Sequence, residues 1–493
     1  MKKVASGIFP MIAIDRKVAT PLHRQIYDAY RLAIVDGRLR PGQRIPSTRE
    51  LSPQLGVSRL PVLNAYAQLL SEGYFESRAG AGTVISSSLP ERFTSTVSNH
   101  KTLKVPSGAP RPIAQSTSAL PRFERAPWLR GQGAFGVGQV AFDQFPLELW
   151  SKLISRHGRE MDAKSLGYGD QMGSKALREM IAIYLRTARS VRCEPEQVMI
   201  VSGSQQALDI SGRVLLDQGS SVWVEEPGYG FAQDAFALSG CRFVPVPVDA
   251  NGMDVSAGIK RCRNARAAVI TPSHQLPLGV TMSAARRLQL LDWAANVGSW
   301  IIEDDYDSEF RYGSSPITSL QGLDVNQRVI YIGTFSKVLF PALRLGYVVI
   351  PSDLVDSFIT IRHAIDLGPP TFHQEVLAEF IREGHFARHI RRMRVLYCER
   401  RNALVGSIRK ELGSMVEILG DEAGLYVTVA LPLGSPDQEV AEKAARQNLL
   451  VLPLSTCYLS DDPRPGFVLG FANTAAKDIP DAMRKLRKLL IST

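Results

Sequence analysis

The sequence predicts an α/β protein of two domains, a small basic module followed by a large domain with a mainly parallel β-sheet. Three observations lead to this prediction. At 493 residues the chain is too long for a single hydrophobic core. Residues 1–130 carry 19 Lys and Arg against 8 Asp and Glu, whereas the other residues carry 39 against 40, so the excess positive charge is confined to one end. Beyond that end, apolar strands alternate with amphipathic helices, which is typical of a parallel sheet covered on both faces.

The cysteines, histidines and apolar segments restrict the class of protein. The five cysteines are odd in number, widely spaced and without a Cys-x-x-Cys pair, which argues against a disulfide framework or a zinc site and predicts a reducing cytoplasm. His274 and the other histidines show no ligand spacing, so no metal site is predicted. The apolar run 8–14 is interrupted by a proline and is too short to span a membrane.

The basic module has the pattern of a helix-turn-helix followed by a wing. Apolar residues at helical spacing predict a first helix within residues 21–37. A second helix is predicted to begin near Thr48 with Ser47 as its cap, and a third to run over 59–71 after the tight turn 56–58. The segment GYFESRAGAGTVIS then supplies two short strands around a glycine-rich tip. A basic module of this kind on a near-neutral body indicates nucleic-acid binding.

The segment PSTRELSPQLGVSRLPVLNAYAQLLSEGYFESRAGAGTV resembles the winged helix-turn-helix of GntR-type repressors over its whole length. Guanidinium groups match phosphates and guanine edges, and glycine permits close backbone approach to DNA. Leu60-Pro61 departs from the small polar residues usual there, which leaves the base preference open. The alternative is a solvated basic face on a protein-interaction domain. The resemblance implies six DNA-contacting residues, three for the major groove and three in the wing: Arg49, Ser58, Arg59, Arg78, Gly80 and Gly82.

The chain between the two domains is predicted to be a linker. It is rich in Ser, Pro, Thr and Arg and shows no apolar periodicity, so a flexible, basic tether is expected. The predicted division is a winged helix-turn-helix domain over 1–85, the linker over 86–135 and the large domain over 136–493.

Polar loops follow the predicted strands of the large domain. The segments are QVMIVSGSQQALDI, SVWVEEPGYG, AAVITPSHQLPLG, SWIIEDDYDSEF and RVIYIGTFSKVL. Ligands of parallel sheets bind beyond the carboxyl ends of the strands, so these loops are expected to converge on one site. The small-residue turn 202–205 opens a helix, and its free backbone amides would face an anion.

Lys337 follows the fifth of these strands and is flanked by two hydroxyl side chains. Taken with the anion-binding turn, Asp304 before it and Arg344 after it, Lys337 resembles the Schiff-base lysine of fold-type I pyridoxal-phosphate proteins. Over residues 140–490 the chain is most similar to MocR-type regulators, which join a GntR-type winged helix to an aminotransferase-like domain. This resemblance implies a pyridoxal 5'-phosphate cofactor.

The same resemblance implies a role for individual residues. Lys337 would form the internal aldimine, Asp304 would pair with the pyridine nitrogen, Tyr306 would reach the ring hydroxyl, and Tyr229 would stack on the ring. Tyr168 would reach the phosphate across the interface of a homodimer. No role is assigned to Asp305. The remaining cofactor-binding residues are implied to hold the phosphate: Ser204, Gln205, Thr334, Ser336 and Arg344.

Three functions remain open from the sequence. The first is a transcriptional regulator that binds an operator with two half-sites and senses pyridoxal phosphate, an amine or an amino acid through aldimine chemistry. The second is an aminotransferase with an appended DNA-binding domain, and the third is a structural adaptor with an empty fold. Val468 stands where aminotransferases place the arginine that clamps the substrate carboxylate, and Leu276 stands where many place an asparagine. The predicted catalysis is therefore vestigial at most.

Overall fold

The computed structural model describes residues 12–78, 82–87, 126–228, 230–312 and 317–492. The chain divides into two compact units, Met1–Pro112 and Ile113–Thr493. The division falls inside the segment 86–135 that was predicted to be a linker, most of which lies outside the described residues. The boundaries of that linker remain a prediction.

The first unit is a three-helix module with a two-stranded antiparallel wing. Ser47 begins the second helix with a capping box: its hydroxyl accepts from the Glu50 amide at 3.3 Å, and its own amide donates to the Glu50 carboxylate at 2.8 Å. The predicted cap and the third helix are both confirmed. The elements are α1 Leu22–Val35, α2 Thr48–Gln54, α3 Arg59–Ser71, β1 Phe75–Arg78 and β2 Gly82–Ile85.

The core of the first unit is aromatic. The rings of Tyr30, Tyr66 and Phe75 meet edge to face with centroids 5.2–5.7 Å apart, and all three are buried. They come from α1, α3 and β1, so they join the helices to the wing.

The second unit is a helix-covered sheet followed by a smaller antiparallel sheet. Its elements in chain order are α4 Leu147–Glu160, α5 Lys175–Ala188, β3 Val198–Val201, α6 Ser204–Leu215, β4 Ser221–Glu226, α7 Gly230–Ala237, β5 Arg242–Asp249, β6 Gly252–Met253, α8 Val255–Cys262, β7 Ala267–Ile270, α9 Ala284–Val297, β8 Trp300–Asp305, α10 Leu320–Leu323, β9 Val329–Thr334, β10 Gly346–Val349, α11 Val355–Asp366, α12 Phe372–Arg382, α13 His385–Glu411, β11 Glu417–Leu419, β12 Tyr426–Ala430, α14 Asp437–Ala445, β13 Leu452–Pro453, β14 Gly466–Gly470 and α15 Ile479–Ser492.

The large sheet has the order β3-β10-β9-β8-β7-β4-β5-β6. The pairs β5–β4, β4–β7, β7–β8 and β8–β9 are parallel, which confirms the mainly parallel sheet. Strand β10 was not predicted; it runs antiparallel between β3 and β9, so that Gly346 lies opposite both Val201 and Thr334. This register brings the ends of β3 and β9 together at one edge.

The smaller sheet was also absent from the sequence prediction. Its antiparallel order is β11-β12-β14-β13, and its strands are only two to five residues long, which is too short for a clear alternation of apolar and polar residues. Among the described residues, no helix has the length and apolar character needed to cross a bilayer.

Candidate cofactor site and DNA-binding face

Lys337 lies three residues beyond β9, and its amine contacts the backbone of a distant segment. Nζ donates a hydrogen bond to the carbonyl oxygen of Gly138 at 3.1 Å. Gly138 has a φ of +80°, which strains a residue with a side chain, and a Cβ there would stand 2.5 Å from Nζ and displace the amine. Desolvation lowers the pKa of Lys337, while the carboxylates of Asp307 and Asp304 oppose that shift. No sequence pattern marks Gly138 beyond the presence of a glycine.

Asp304 lies on the strand next to β9 and has an unused oxygen. In the parallel register of β8 and β9 it is opposite Ile332, two residues before Thr334. Its side chain is buried, and Oδ1 has no hydrogen-bond partner among the described residues. Burial, with the neighbouring carboxylate of Asp305, raises the pKa of Asp304 to about 7. A buried carboxylate oxygen without a partner fits a site for a protonated ring nitrogen.

Asp305 has a structural role that the sequence did not reveal. Its carboxylate forms a buried ion pair with Arg189 Nε at 2.8 Å and accepts hydrogen bonds from the hydroxyls of Tyr331 and Ser308. The adjacent carboxylates of β8 therefore differ in their contacts: Asp305 is held through Oδ2 by Arg189, Tyr331 and Ser308 and leaves its Oδ1 without a partner among the described residues, whereas no such ion pair or hydroxyl holds Asp304.

The phosphate-binding residues predicted from the sequence meet at the edge formed by β3 and β9. Helix α6 begins at Ser204 after Gly203, which has a φ of +94° and provides no side-chain cap. Arg344 donates to the carbonyl oxygen of Ser202 and lies 3.4 Å from the position that a Cβ on Gly203 would take. Uncapped amides, the positive end of a 12-residue helix and a guanidinium together suit a phosphate.

The other predicted phosphate ligands border the same edge. Thr334 ends β9 and lies opposite Gly346, and its Oγ1 accepts from the Ser336 amide at 3.1 Å. Gln205 is the second residue of α6. The hydroxyls of this loop and the amides of α6 thus follow β9 and β3, the two strands that flank β10.

Tyr306 belongs to a buried polar cluster that the sequence prediction missed. Its hydroxyl donates to the His274 carbonyl oxygen at 2.8 Å and lies 3.0 Å from the hydroxyl of Tyr426, which in turn donates to the Gln275 carbonyl oxygen. His274 Nδ1 is 3.0 Å from the carboxylate of Asp307. These contacts hold the Tyr306 ring between the loop after β7 and Tyr426 of the smaller sheet, and no local sequence motif predicts them.

A histidine of helix α13 supports the Lys337 loop. His389 Nε2 donates to the carbonyl oxygen of Val338 at 3.0 Å, and burial lowers the pKa of His389 to about 4, so the ring is neutral. On the same helix Arg391, Arg392 and Arg394 are exposed, whereas Arg400 is buried.

The structure leaves the predicted roles of two cofactor ligands, Tyr229 and Tyr168, untested. Tyr229 lies outside the described residues, so its stacking role stays a prediction. Tyr168 is 89% exposed in the single chain, which leaves its phenol accessible to a second molecule. Among the described residues no group of three His, Cys, Asp or Glu side chains is arranged to hold a metal ion.

The DNA-binding face predicted from the sequence is exposed on the first unit. Arg49, Ser58 and Arg59 are all exposed, and the neighbouring Leu60 is 64% exposed. In the wing, Arg78 on β1 lies opposite Gly82 on β2; Gly80 lies outside the described residues. The sequence prediction omitted Arg44, whose guanidinium lies 3.4 Å from the position that a Cβ on Gly82 would take. It adds a cation next to the wing.

Comparisons with known proteins agree for both units. A family model described as bacterial regulatory proteins of the gntR family matches residues 22–85, and one for aminotransferase class I and II matches residues 132–486. The probable rhizopine catabolism regulatory protein MocR of Rhizobium meliloti is 37% identical over 98% of this chain and 96% of its own length. The pyridoxine biosynthesis transcriptional regulator PdxR of Corynebacterium glutamicum is 30% identical, covering 94% of each chain.

A solved structure supports the fold of the second unit. The multiple substrate aminotransferase of Thermococcus profundus superimposes with a TM-score of 0.71 and 28% identity over 77% of this chain and 97% of its own. The fold, the two family matches and the full-length relatives point the same way. The chain belongs to the aminotransferase class I and II family and, with its GntR-type module, is a MocR-type transcriptional regulator that binds DNA and pyridoxal phosphate.

Proposed function

We propose that this regulator holds pyridoxal phosphate at Lys337 and uses the bound cofactor to sense a small amine. One observation carries the proposal: two suitable groups lie at the ends of the adjacent strands β9 and β8. They are the Lys337 amine and the buried Asp304 oxygen that has no partner among the described residues. Bound pyridoxal phosphate supplies an electrophilic aldehyde carbon that condenses with primary amines.

The residues around the cofactor would then share three tasks. Lys337, whose pKa is lowered by desolvation, provides a nucleophilic amine. Asp304 would hold a proton on the pyridine nitrogen through Oδ1, and Tyr306, which lies beside His274 and Tyr426, would turn its hydroxyl proton from the His274 carbonyl oxygen to the ring oxygen. The phosphate is bound by the amides and side chains at the start of α6 and by the loop after β9, at Ser204, Gln205, Thr334, Ser336 and Arg344.

Turnover separates this proposal from an aminotransferase. The clamp for a substrate carboxylate is absent at Val468, which is fully buried among apolar side chains, so amino acids would be poorly positioned for reaction. We expect the cofactor-loaded protein to convert common amino acids to oxo acids more slowly than about 1 per second. Rates of roughly 1 to 1000 per second, typical of enzymes, would favour the aminotransferase.

On DNA, we propose a homodimer whose two winged helices occupy two half-sites. Tyr168 would cross the dimer interface, in keeping with its exposure in the single chain. Insertion of about 10 base pairs between the half-sites should preserve binding better than insertion of about 5, because only the longer insertion keeps both sites on one side of the duplex. Equal loss from both insertions, or a single half-site bound as tightly as the pair, would argue against two cooperating modules.

A further inference from the structure

The exposed face of α3 is apolar beyond the first residue of the helix. Leu60, Leu63 and Ala67 are exposed, and their spacing of three and four residues places them on one side of the helix. Leu60 is 64% and Leu63 is 41% exposed, and neither belongs to the aromatic core of this unit. From residue 60 to residue 71 the helix carries no Lys, Arg, Asp or Glu. A contiguous apolar stripe of this kind indicates a contact surface.

Asn64 supplies a polar group on the same face. It follows Leu60 by four residues, it is exposed, and its side-chain amide has no hydrogen-bond partner among the described residues. The other side-chain amide of α3 belongs to Gln68 and donates to the carboxylate of Glu72 at 2.8 Å. Of the two amides, only that of Asn64 is therefore free to bind another molecule.

Groups that suit DNA phosphates lie at the start of α3. Ser58 precedes the helix, and its hydroxyl makes no cap hydrogen bond, so that hydroxyl is available to an anion at the positive end of a 13-residue helix. Arg59 is exposed, and its Nε donates to the Thr48 hydroxyl at 3.2 Å, which orients the guanidinium. Phosphate contacts at this end would fix the register of the helix, and the side chains of its first two turns would then meet base edges.

The side chains of this face match A·T pairs and not G·C pairs. The amide of an asparagine can bind N6 and N7 of adenine together, and apolar side chains contact the C5-methyl group of thymine. Guanine is read chiefly by Arg or Lys and cytosine by Asp or Glu, and the face has none of these residues beyond Arg59.

We propose that α3 reads A·T pairs in the major groove, with Asn64 bound to an adenine and Leu60 and Leu63 in contact with thymine methyl groups of neighbouring pairs. This inference rests on the proposed DNA-binding role of the first unit. It assigns the base preference that the unusual Leu60-Pro61 pair left open. The basic groups at the start of the helix favour DNA over a protein as the occupant of the face.

The test removes single chemical groups from the DNA. The full-length wild type first selects a duplex from a random pool. The duplex is then remade with uracil for thymine, which deletes the C5-methyl group, or with 7-deazaadenine for adenine, which deletes the N7 acceptor. Fluorescence anisotropy at constant salt measures the affinity. We expect adjacent A·T pairs in the selected half-site, a loss of about fourfold for each methyl group that is contacted and a loss of about tenfold for the N7 that Asn64 contacts.

Variants of α3 assign each loss to a side chain. Leu60→Ala and Leu63→Ala should each remove the sensitivity to uracil at one pair, and Asn64→Ala should remove the sensitivity to 7-deazaadenine, because a contact that is already lost cannot be lost twice. Gln68→Ala is the matched control and should keep both sensitivities, since its amide is engaged within the helix. The three test positions are exposed and alanine favours helix, so these variants should fold.

The outcomes separate this inference from DNA binding itself. Salt-dependent binding to a selected half-site of G·C pairs alone, or an affinity that neither base replacement changes, would overturn the inference and leave DNA binding intact. Losses that persist undiminished in all three variants would overturn it as well, because the bases would then be read by other groups. Failure to select any duplex would overturn both conclusions and would favour a protein partner for the face.

Discussion

The two sides of the cofactor site differ in the chemistry of their side chains. The side toward the phosphate and pyridine presents a lysine, an arginine, a helix amino terminus and a carboxylate with a free oxygen. The cluster around Tyr306, with Tyr426, Leu454 and Val468, instead consists of aliphatic side chains and of tyrosines whose hydroxyls are already bonded. The described residues include those that suit cofactor binding, whereas a valine, Val468, stands where the resemblance predicts the clamp for an amino-acid substrate. We propose that this difference separates a receptor that holds the cofactor from an enzyme that turns over amino acids.

Removal of Lys337 should have the largest effect on cofactor binding. Lys337→Ala should abolish fixation of pyridoxal phosphate by borohydride, because the amine that bonds the cofactor is gone, while basal DNA affinity stays within about threefold. Lys175→Ala, at an exposed position on α5, is the matched control and should fix the cofactor as the wild type does. Undiminished fixation in the Lys337 variant would contradict the assignment.

The free carboxylate oxygen can be tested next. Asp304→Asn removes the charge that would hold a proton on the pyridine nitrogen, so the affinity for pyridoxal phosphate should fall on the order of 100-fold. Equilibrium dialysis against the cofactor measures the change. An unaltered dissociation constant would mean that the unpartnered Asp304 oxygen does not bind the pyridine nitrogen.

A third variant tests whether DNA binding can be weakened without a change in cofactor binding. Arg59→Ala should weaken specific DNA binding about tenfold to a hundredfold and reduce the salt dependence of affinity, because a phosphate or guanine contact is lost. Cofactor binding should be unchanged. Affinity for DNA that does not depend on salt would exclude a phosphate-contacting face.

The adjacent carboxylates of β8 should have opposite effects on stability. The folded-state pKa of Asp304 is raised to about 7, above its ordinary value, so ionisation as the pH rises costs stability. In the cofactor-free protein Asp304→Asn should therefore raise the unfolding free energy at pH 8 by on the order of 2 kcal/mol, a gain that shrinks toward pH 4. Asp305→Asn should instead destabilise, because Arg189 loses its buried partner. Denaturant unfolding of both variants distinguishes the two; the same sign for both would contradict their different environments.

The features that depend on contiguous residues could be predicted from the sequence. The capped helix at Thr48, the third helix from Arg59 to Ser71 and the loops after β3, β8 and β9 are written in contiguous residues, and the structure confirms these elements. The fold class followed from the alternation of strands and helices.

Features that depend on distant contacts could not be predicted. Gly138 meets Lys337 across 199 residues, and Tyr306 meets Tyr426 across 120, through strands too short to show a pattern. The different environments of Asp304 and Asp305 depend on Arg189, which lies 116 residues before its partner. Such pairings are set by the tertiary fold and carry no local signature.

The most direct measurement of the central claim is DNA affinity with and without an amine in two proteins. The wild type and Lys337→Ala are compared by fluorescence anisotropy on a duplex that the wild type has selected from a random pool, with the protein loaded with pyridoxal phosphate and then treated with 2-phenylethylamine. We expect a change in affinity of at least severalfold in the wild type and none in the variant. An equal change in both proteins, or no change in the wild type, would contradict the claim that chemistry at Lys337 controls DNA binding.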